Sequence, residues 1–143
     1  HYQQHMNDHT GPYPGIMEFL QKLSREEYPM AIVSNKPDFA VRELAEEFFG
    51  DVIKVAIGES EGVLRKPAPD TVALAAERLG VLLSDCIYVG DSEVDLETAK
   101  NCGIPCASVT WGFRSREYLL SLGAEHTAGS PEELYKLLAA LSL

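Results

Sequence analysis

Apolar residues along the chain alternate between a helical period and short continuous runs. The stretch after Gly15 predicts an amphipathic helix, because its apolar positions recur at the i, i+3, i+4, i+7 spacing: Ile16, Phe19, Leu20 and Leu23. The run 30–33 is continuous, follows Pro29 and precedes polar residues, which predicts a strand buried on both faces. The alternation continues, with further strands predicted at 52–57, 86–89 and 105–109.

Helices are predicted between these strands and at the end of the chain. One apolar helical face ends at Gly50, a second at Gly80 and a third at about Cys102. The last helix opens with a capping box that places Ser130 at the N-cap and Glu133 at the third helical position. Strands that alternate with helices require right-handed crossovers, so the sequence predicts an α/β fold with a doubly wound, mostly parallel, Rossmann-like sheet.

Polar residues follow three of the predicted strands. They form three groups: Ser34, Asn35 and Lys36 after the first strand, Lys66 in the loop 58–69, and Asp91, Ser92 and Asp95 after the third strand. In a doubly wound sheet, ligands bind beyond the carboxyl ends of the strands. We therefore expect the functional site at that edge of the sheet.

The composition describes one acidic domain. The 143 residues carry 12 Lys+Arg against 22 Asp+Glu, a formal net charge of -10. This charge argues against non-specific binding to nucleic acid or to anionic membranes, because both require a basic surface. The sequence shows neither an apolar stretch of membrane length nor a leader pattern, so a cytoplasmic location is expected. Cys86, Cys102 and Cys106 are interpreted as small buried hydrophobic residues.

Asp91 and Asp95 place two carboxylates four residues apart at a strand-to-helix junction. One interpretation is structural, with Asp91 as the N-cap of the helix and Asp95 complementing its dipole. The other is a metal site, because like charges at this spacing repel each other unless a cation lies between them. Hard oxygen ligands suit Mg²⁺, and Ser92 completes the candidate metal set.

The other two groups are candidates for binding phosphate. Ser34 offers a hydroxyl, and Asn35 and Lys36 offer backbone N–H groups, although serine and asparagine are also ordinary turn residues. Lys66 precedes Pro67, which disfavours a helical conformation there, but a lone lysine in a loop is usually solvated. The hypothesis of a functional site is stronger for the three groups together than for any one alone, because each group lies at the end of a predicted strand.

Three segments resemble motifs of the haloacid dehalogenase-like phosphatases, and within that family of the phosphoglycolate phosphatase group. AIVSNKPD at 31–38 resembles the family's second motif, RKPAPD at 65–70 the third, and YVGDSEVDLETAKNCGI at 88–104 the fourth. The segments 12–23 and 109–134 are also similar to that group. The resemblance therefore covers essentially the whole chain.

The resemblance implies hydrolysis of a small phosphorylated metabolite through an aspartyl-phosphate, with Mg²⁺ as the cofactor. The first substrate expected is 2-phosphoglycolate, which would yield glycolate and phosphate. By motif, the resemblance implies catalytic roles for Ser34, Lys66 and Asp95, phosphate binding by Ser34, Asn35, Lys36 and Lys66, and metal binding by Asp91, Asp95 and Ser92. In that scheme Asp91 reaches the metal directly and Asp95 holds a metal-bound water.

The nucleophile motif of that family is missing from the sequence. The family's first motif is D-x-D-G-T or a close variant, and no D-x-D occurs here; neither Asp8 nor Asp51 follows a buried strand. Residues 1–11 resemble the remnant of a helical cap and its linker, and residues 12–143 resemble a core domain without its first strand. We therefore expect an upstream segment of the same longer chain to supply the nucleophile, and the 143 residues alone to be inactive.

The missing strand has a structural consequence. In this family it lies between the strand that ends at Ser34 and the strand that ends at Asp91. Its absence would leave two edges with unpaired backbone groups, or those two strands would pair directly.

Several alternatives remain open. The chain could be a non-catalytic phosphate- or metal-binding regulatory domain of the same fold, or a sugar-phosphate mutase of the same superfamily. His1, His5 and His9 could bind zinc if helical, although no cysteine or carboxylate completes the set. Aromatic and guanidinium groups after the fourth strand could contact substrate or belong to a packed, solvated loop: Trp111, Phe113, Arg114 and Arg116.

Overall fold

Helices and strands alternate along the chain in a computed structural model that describes residues 15–50, 52–111 and 115–142. In chain order the elements are α1 (Ile16–Arg25), β1 (Ala31–Pro37), α2 (Asp38–Phe49), β2 (Val55–Glu59), α3 (Asp70–Leu79), β3 (Tyr88–Gly90), α4 (Glu93–Cys102), β4 (Cys106–Val109), α5 (Arg116–Ser121), β5 (His126–Ala128) and α6 (Pro131–Leu141). A short 3₁₀ turn spans Leu83–Asp85. The α/β fold is confirmed, whereas the division at residue 11 lies outside the described residues.

Some element boundaries differ from those predicted. β2 begins at Val55 rather than at residue 52, because the backbone N–H groups of Val52 and Ile53 both donate to the Phe49 carbonyl and extend the end of α2. α5 and β5 were not predicted as separate elements. The capping box of α6 is confirmed, since the Ser130 hydroxyl accepts a hydrogen bond from the Glu133 N–H at 3.1 Å.

The strands form two parallel sheets rather than one. β1 pairs with β2, with Ala31 opposite Val55 and Val33 opposite Ile57. β3, β4 and β5 form the second sheet in that order. Among the described residues β1 pairs with β2 alone, and β1 and β3 do not pair with each other.

Apolar clusters cover both faces of the strands, as the doubly wound architecture requires. Successive strand residues point to opposite faces, so Ile32 joins one cluster and Val33 joins the other. The first cluster contains buried residues of α1, α2 and α6, among them Ile16, and the second contains residues of α3 and α4, among them Val72. Burying one such aliphatic side chain contributes about 1.5–3 kcal/mol, so these faces drive assembly of the layers.

An apolar slot lies between the two sheets. Its volume is about 630 Å³, and its walls include residues 30–33 of the first strand region and residues 86–89 of the third. Apolar side chains of α1, α3 and α6 complete the lining, among them Leu20, Ala76 and Leu138. The slot therefore runs along β1 and β3.

The three cysteines are free thiols that are half-buried rather than fully buried, which corrects the interpretation of them as buried residues. They pack against the second apolar cluster, and burial raises the pKa of each thiol, to about 12 for Cys106. Within the described part of the chain, each helix is too short or too polar to cross a membrane.

Candidate functional site

Lys66 lies where the carboxyl ends of β1 and β3 meet. Its ammonium group donates to the Asp95 carboxylate at 3.1 Å and to the Tyr88 hydroxyl at 3.1 Å. Its backbone N–H donates to the Asn35 side-chain carbonyl at 2.7 Å, and the Asn35 amide donates back to the Lys66 carbonyl at 3.2 Å. Lys66 thus links the two sheets across the slot. Since it is 3% exposed, the alternative of a solvated lysine is wrong.

The loop that carries Lys66 is held on both sides. The Asn101 side chain in α4 donates to the Pro67 carbonyl at 2.8 Å. The Asp70 carboxylate at the start of α3 accepts from the Leu64 N–H at 3.0 Å. These side-chain bonds fix the loop backbone, so Lys66 is presented from a defined position.

Asp95 is buried among hydrogen-bond donors. One carboxylate oxygen accepts from Lys66 and from the Tyr88 hydroxyl at 2.8 Å, and the other accepts from the Asp91 N–H at 3.0 Å and the Ser92 hydroxyl at 3.1 Å. A buried carboxylate is tolerated only when it is paired and hydrogen-bonded, because desolvation of the charge costs several kcal/mol. These donors meet that condition.

The ionisation of this cluster follows from its contacts. Burial raises the pKa of the Asp95 carboxyl, whereas the Lys66 charge, which is the largest opposing cause, and the hydrogen bond from Tyr88 are among the interactions that lower it, to about 2 in all. Burial, and after it the Asp95 charge, raise the pKa of the Tyr88 hydroxyl well above its ordinary value. At neutral pH the cluster is therefore a lysine–aspartate ion pair bridged by a neutral tyrosine.

Asp91 and Asp95 meet at the junction of β3 and α4. The N-cap of α4 is Ser92, so the alternative of Asp91 as N-cap is wrong, while Asp95 does lie in the first turn. Asp91 is 1% exposed and precedes the helix, and Asp95 reaches back to its N–H. A Cβ atom at Gly90 would collide with the Asp95 side chain, so this close approach requires glycine.

Ser34, Asn35 and Lys36 lie within the last part of β1, not after it as predicted. Pairing with β2 is regular as far as Val33 and shifts before Pro37, so these three residues occupy an irregularity of the strand. The Ser34 hydroxyl is buried and accepts from the Lys36 N–H at 3.2 Å. The structure thus places Ser34 and Asn35 on the same edge as Lys66.

Asp38 also belongs to this edge, although its sequence pattern does not single it out. Its carboxylate accepts from the Gly58 N–H at 2.9 Å and pairs with Arg42 at 2.9 Å. A Cβ atom at Gly58 would lie 2.5 Å from the Lys36 carbonyl oxygen. The ends of β1 and β2 are therefore in close contact, which only glycine at this position permits.

The candidates after β4 do not join this cluster in any contact that the described residues show. Trp111 is half-buried and packs against the first apolar cluster, as the packing alternative predicts. Arg116 is exposed at the start of α5. Phe113, Arg114 and the histidines proposed for zinc, His1, His5 and His9, lie outside the described residues.

Two carboxylates at this edge of the sheet are the candidate ligands for a metal ion. Within residues 15–50, 52–111 and 115–142, no group of three or more His, Cys, Asp or Glu side chains is placed to hold one. Asp91 and Asp95 nevertheless lie together at the buried end of β3. This fits Mg²⁺, which takes one or two protein carboxylates and completes its shell with water and phosphate oxygens.

Known proteins share this fold and much of the sequence. The phosphoglycolate phosphatase of Xylella fastidiosa (strain 9a5c) is 38% identical over 108 residues, which are 74% of this chain and 47% of that protein. The phosphoglycolate phosphatase of Escherichia coli (strain K12) is 32% identical over 120 residues, 82% of this chain and 47% of that protein. The chain thus spans about half the length of these relatives.

Solved structures of other proteins have the same fold. A putative phosphoglycolate phosphatase from Lactobacillus delbrueckii superposes with a TM-score of 0.87 at 41% identity, covering 93% of this chain and 55% of that one. A hydrolase from Deinococcus radiodurans, solved with bound phosphate and sodium, superposes with a TM-score of 0.80, covering 92% of this chain and 60% of that one; at 24% identity it shows the fold alone. The sequence model described as "Haloacid dehalogenase-like hydrolase" matches residues 1–109, and the chain belongs to that family.

Proposed function

We propose that this chain is the larger part of the catalytic core of a Mg²⁺-dependent phosphomonoesterase. The observation that carries the proposal is the buried cation of Lys66, held beside carboxylates at the carboxyl edge of parallel strands. A buried cation is not a solvated surface group. Held at a fixed position, it can stabilise negative charge on a phosphoryl group. The named relatives support the same reaction class.

Different residues at this edge would bind the phosphate and the metal ion. Ser34 would donate its hydroxyl to a phosphate oxygen, with the N–H groups at Asn35 and Lys36 beside it. Lys66 would neutralise the phosphate and the incoming nucleophile. Asp91 would bind Mg²⁺ directly, and Asp95 and Ser92 would hold its water. When bound, Mg²⁺ would offset the charge between the carboxylates and the phosphoryl group.

The nucleophile would be an aspartate from outside these 143 residues. Its carboxylate oxygen would bond to phosphorus as the ester bond breaks, and the leaving oxygen would take a proton from the second aspartate of the same D-x-D motif, which would later accept a proton from the attacking water. Water would then attack the phosphorus of the aspartyl-phosphate, releasing inorganic phosphate and restoring the carboxylate. The proposed substrate is 2-phosphoglycolate, since the relatives at 31–38% identity carry the name phosphoglycolate phosphatase.

Phosphate release from the full-length protein tests this function. With Mg²⁺ present we expect turnover of 2-phosphoglycolate, and a loss of about 10²-fold in kcat/KM for Ser34→Ala, because a phosphate-oxygen donor is removed. Ser24→Ala, on the side of α1, is the matched control and should keep full activity. Ser34→Ala with unchanged kcat/KM would contradict the assigned role.

The same assay separates the alternatives. Phosphate binding without turnover in the full-length protein would favour a regulatory domain. Interconversion of hexose phosphates without net phosphate release would favour a mutase. The 143-residue chain alone should release no phosphate, and turnover by that chain would overturn the proposal of an external nucleophile.

A further inference from the structure

The Tyr88 hydroxyl contacts both members of the buried ion pair. It donates to one Asp95 carboxylate oxygen at 2.8 Å and accepts from the Lys66 ammonium at 3.1 Å. The ammonium also donates to that same carboxylate oxygen at 3.1 Å, so the three polar atoms form a closed triangle. Lys66 is therefore held by two acceptors that are themselves joined by a hydrogen bond.

Tyr88 has a fixed position in the second sheet. It begins β3, where it lies opposite Cys106 of β4, and its backbone N–H donates to the Pro105 carbonyl at 3.0 Å. Tyr88 is 4% exposed and packs in the second apolar cluster, which restricts rotation of its ring. Lys66, in contrast, comes from a loop and carries its charge on a flexible stem of four carbons. The tyrosine hydroxyl is thus the rigid reference point of the triangle.

Packing alone does not require a hydroxyl at this position. A phenylalanine ring would fill the same apolar cluster, and a buried phenolic hydroxyl needs only one hydrogen-bond partner. The Asp95 carboxylate accepts from the Lys66 ammonium, the Asp91 N–H and the Ser92 hydroxyl, so it is hydrogen-bonded without the tyrosine. The contact that distinguishes Tyr88 from a core aromatic residue is therefore the one with Lys66.

We propose that Tyr88 is a positioning residue for phosphoryl transfer, whose hydroxyl sets the location and orientation of the Lys66 ammonium. This role rests on the proposed function, in which Lys66 neutralises the phosphate and the nucleophile. An ammonium group has three N–H donors, so with Asp95 and Tyr88 as acceptors at least one remains for a phosphate oxygen. A cation that is held in place before the reaction stabilises the transition state without reorganising.

Loss of the hydroxyl should affect the chemical step more than substrate binding. In Tyr88→Phe the ammonium keeps its bond to Asp95 but loses its bond to the rigid sheet. Phosphoryl transfer depends on exact placement of positive charge, so a displaced cation stabilises the transition state less, whereas it still attracts the substrate. We therefore expect kcat to fall about tenfold and KM to change by less than about twofold.

Steady-state kinetics of the full-length protein with Mg²⁺ and 2-phosphoglycolate measure both constants. Tyr135→Phe is the matched control, because it removes a hydroxyl that also donates to a carboxylate, that of Glu26 at 2.7 Å, at the end of α1. The control should keep the kcat and KM of the wild type. An unchanged kcat in Tyr88→Phe, or a rise in KM alone, would overturn the proposal.

Nuclear magnetic resonance of the lysine ammonium groups tests the positioning without turnover. In full-length protein with isotope-labelled lysine, the Lys66 signal is identified by its absence in Lys66→Arg. Its order parameter should be high in the wild type and lower in Tyr88→Phe, whereas that of the exposed Lys100 should be low in both. A Lys66 ammonium that is as mobile as Lys100 in the wild type, or equally ordered in both proteins, would overturn the proposal.

The two measurements separate failure of this role from failure of the proposed function. Wild-type protein without turnover would contradict the phosphatase function, and the order parameters would still decide whether Tyr88 holds the Lys66 ammonium. Wild-type turnover with an unchanged kcat in Tyr88→Phe would contradict the role of Tyr88 alone.

Discussion

Two regions lie between the sheets, the polar end at Lys66 and the apolar slot behind it. They differ in how their buried polar groups find hydrogen-bond partners. At the polar end the chain supplies partners for its own buried groups: Lys66 meets Asp95 and Tyr88, and Asn35 holds its backbone. Along the slot, the described residues of the same two strands do not pair with each other, and the walls are apolar. The comparison shows that side-chain bonds, rather than strand pairing, hold the candidate site in position.

Removing the charge of Lys66 should have the largest effect on this arrangement. Lys66→Met removes the cation that pairs with the buried Asp95 carboxylate, and we expect the free energy of unfolding to fall by about 3 kcal/mol or more. Chemical denaturation followed by circular dichroism measures this loss. Arg65→Met is the matched control, because the Arg65 side chain is 61% exposed and its nearest carboxylate lies 3.8 Å away.

The double variant Lys66→Met with Asp95→Asn sharpens the same comparison. It removes both charges of the ion pair and should regain much of the lost stability, because the Asp95 charge that lost its partner is no longer present. If Lys66→Met is as stable as the wild type, the ion pair does not hold the polar end together.

The pH dependence of stability should show a second, slightly smaller effect. The pKa of Asp95 is lowered from 3.8 to about 2, so its contribution is fully present above pH 3.8 and is lost as pH falls toward 2, a loss on the order of 2 kcal/mol. Urea denaturation at a series of pH values measures it. The double variant lacks this carboxyl and should show a shallower acid decline. Equal declines in both proteins would contradict the assignment.

Tyr88 should produce the opposite dependence on the alkaline side. Because its pKa is raised above 10.0, the unfolded chain loses this proton first, and stability should fall as pH rises above 10. Tyr88→Phe has no hydroxyl to titrate and should show a weaker alkaline decline in the same denaturation series.

Loss of the loop contacts should have a moderate effect. Asn35→Ala removes two hydrogen bonds to the Lys66 backbone and should cost about 1–2 kcal/mol, with faster amide exchange at Lys66. Asn101→Ala removes one bond, to the Pro67 carbonyl, and should cost about half as much. A larger loss for Asn101→Ala would mean that α4, rather than β1, holds the loop.

Filling the slot should have the smallest effect and the opposite sign. Ala76 lines the slot, so Ala76→Leu should raise the free energy of unfolding of the 143-residue chain by about 0.5–1 kcal/mol. Ala107 is fully buried in β4, where the same change to leucine should cost about 1–3 kcal/mol. Equal losses at both alanines would show that the slot is packed as tightly as the rest of the interior.

The sequence pattern located the main strands because buried parallel strands are continuous apolar runs. It did not predict α5 or β5, since six and three residues are too short to show a period. The end of β1 was placed too early, because the strand irregularity beyond Val33 depends on pairing with β2. The slot between the two sheets required the structure, because it depends on how elements distant in the sequence pack together.

The candidate side chains were found because polar residues after a buried strand stand out, as Lys66 and Asp91 do. Tyr88 was missed because a tyrosine within an apolar run is indistinguishable from a core aromatic residue. Asn101 was missed because its partner, the Pro67 carbonyl, lies 34 positions earlier in the chain. Contacts at such separations leave no local signal in a single sequence.

The linking role of Lys66 has a consequence for the order of folding. Its bonds to Asn35 and Asp95 close chain segments of 31 and 29 residues, so both closures meet at one residue. The entropy of closing a loop grows only slowly with its length, so two closures of equal size carry similar entropic costs. Because both segments must close before Lys66 is buried, we expect its burial to follow the local contacts between neighbouring helices and strands.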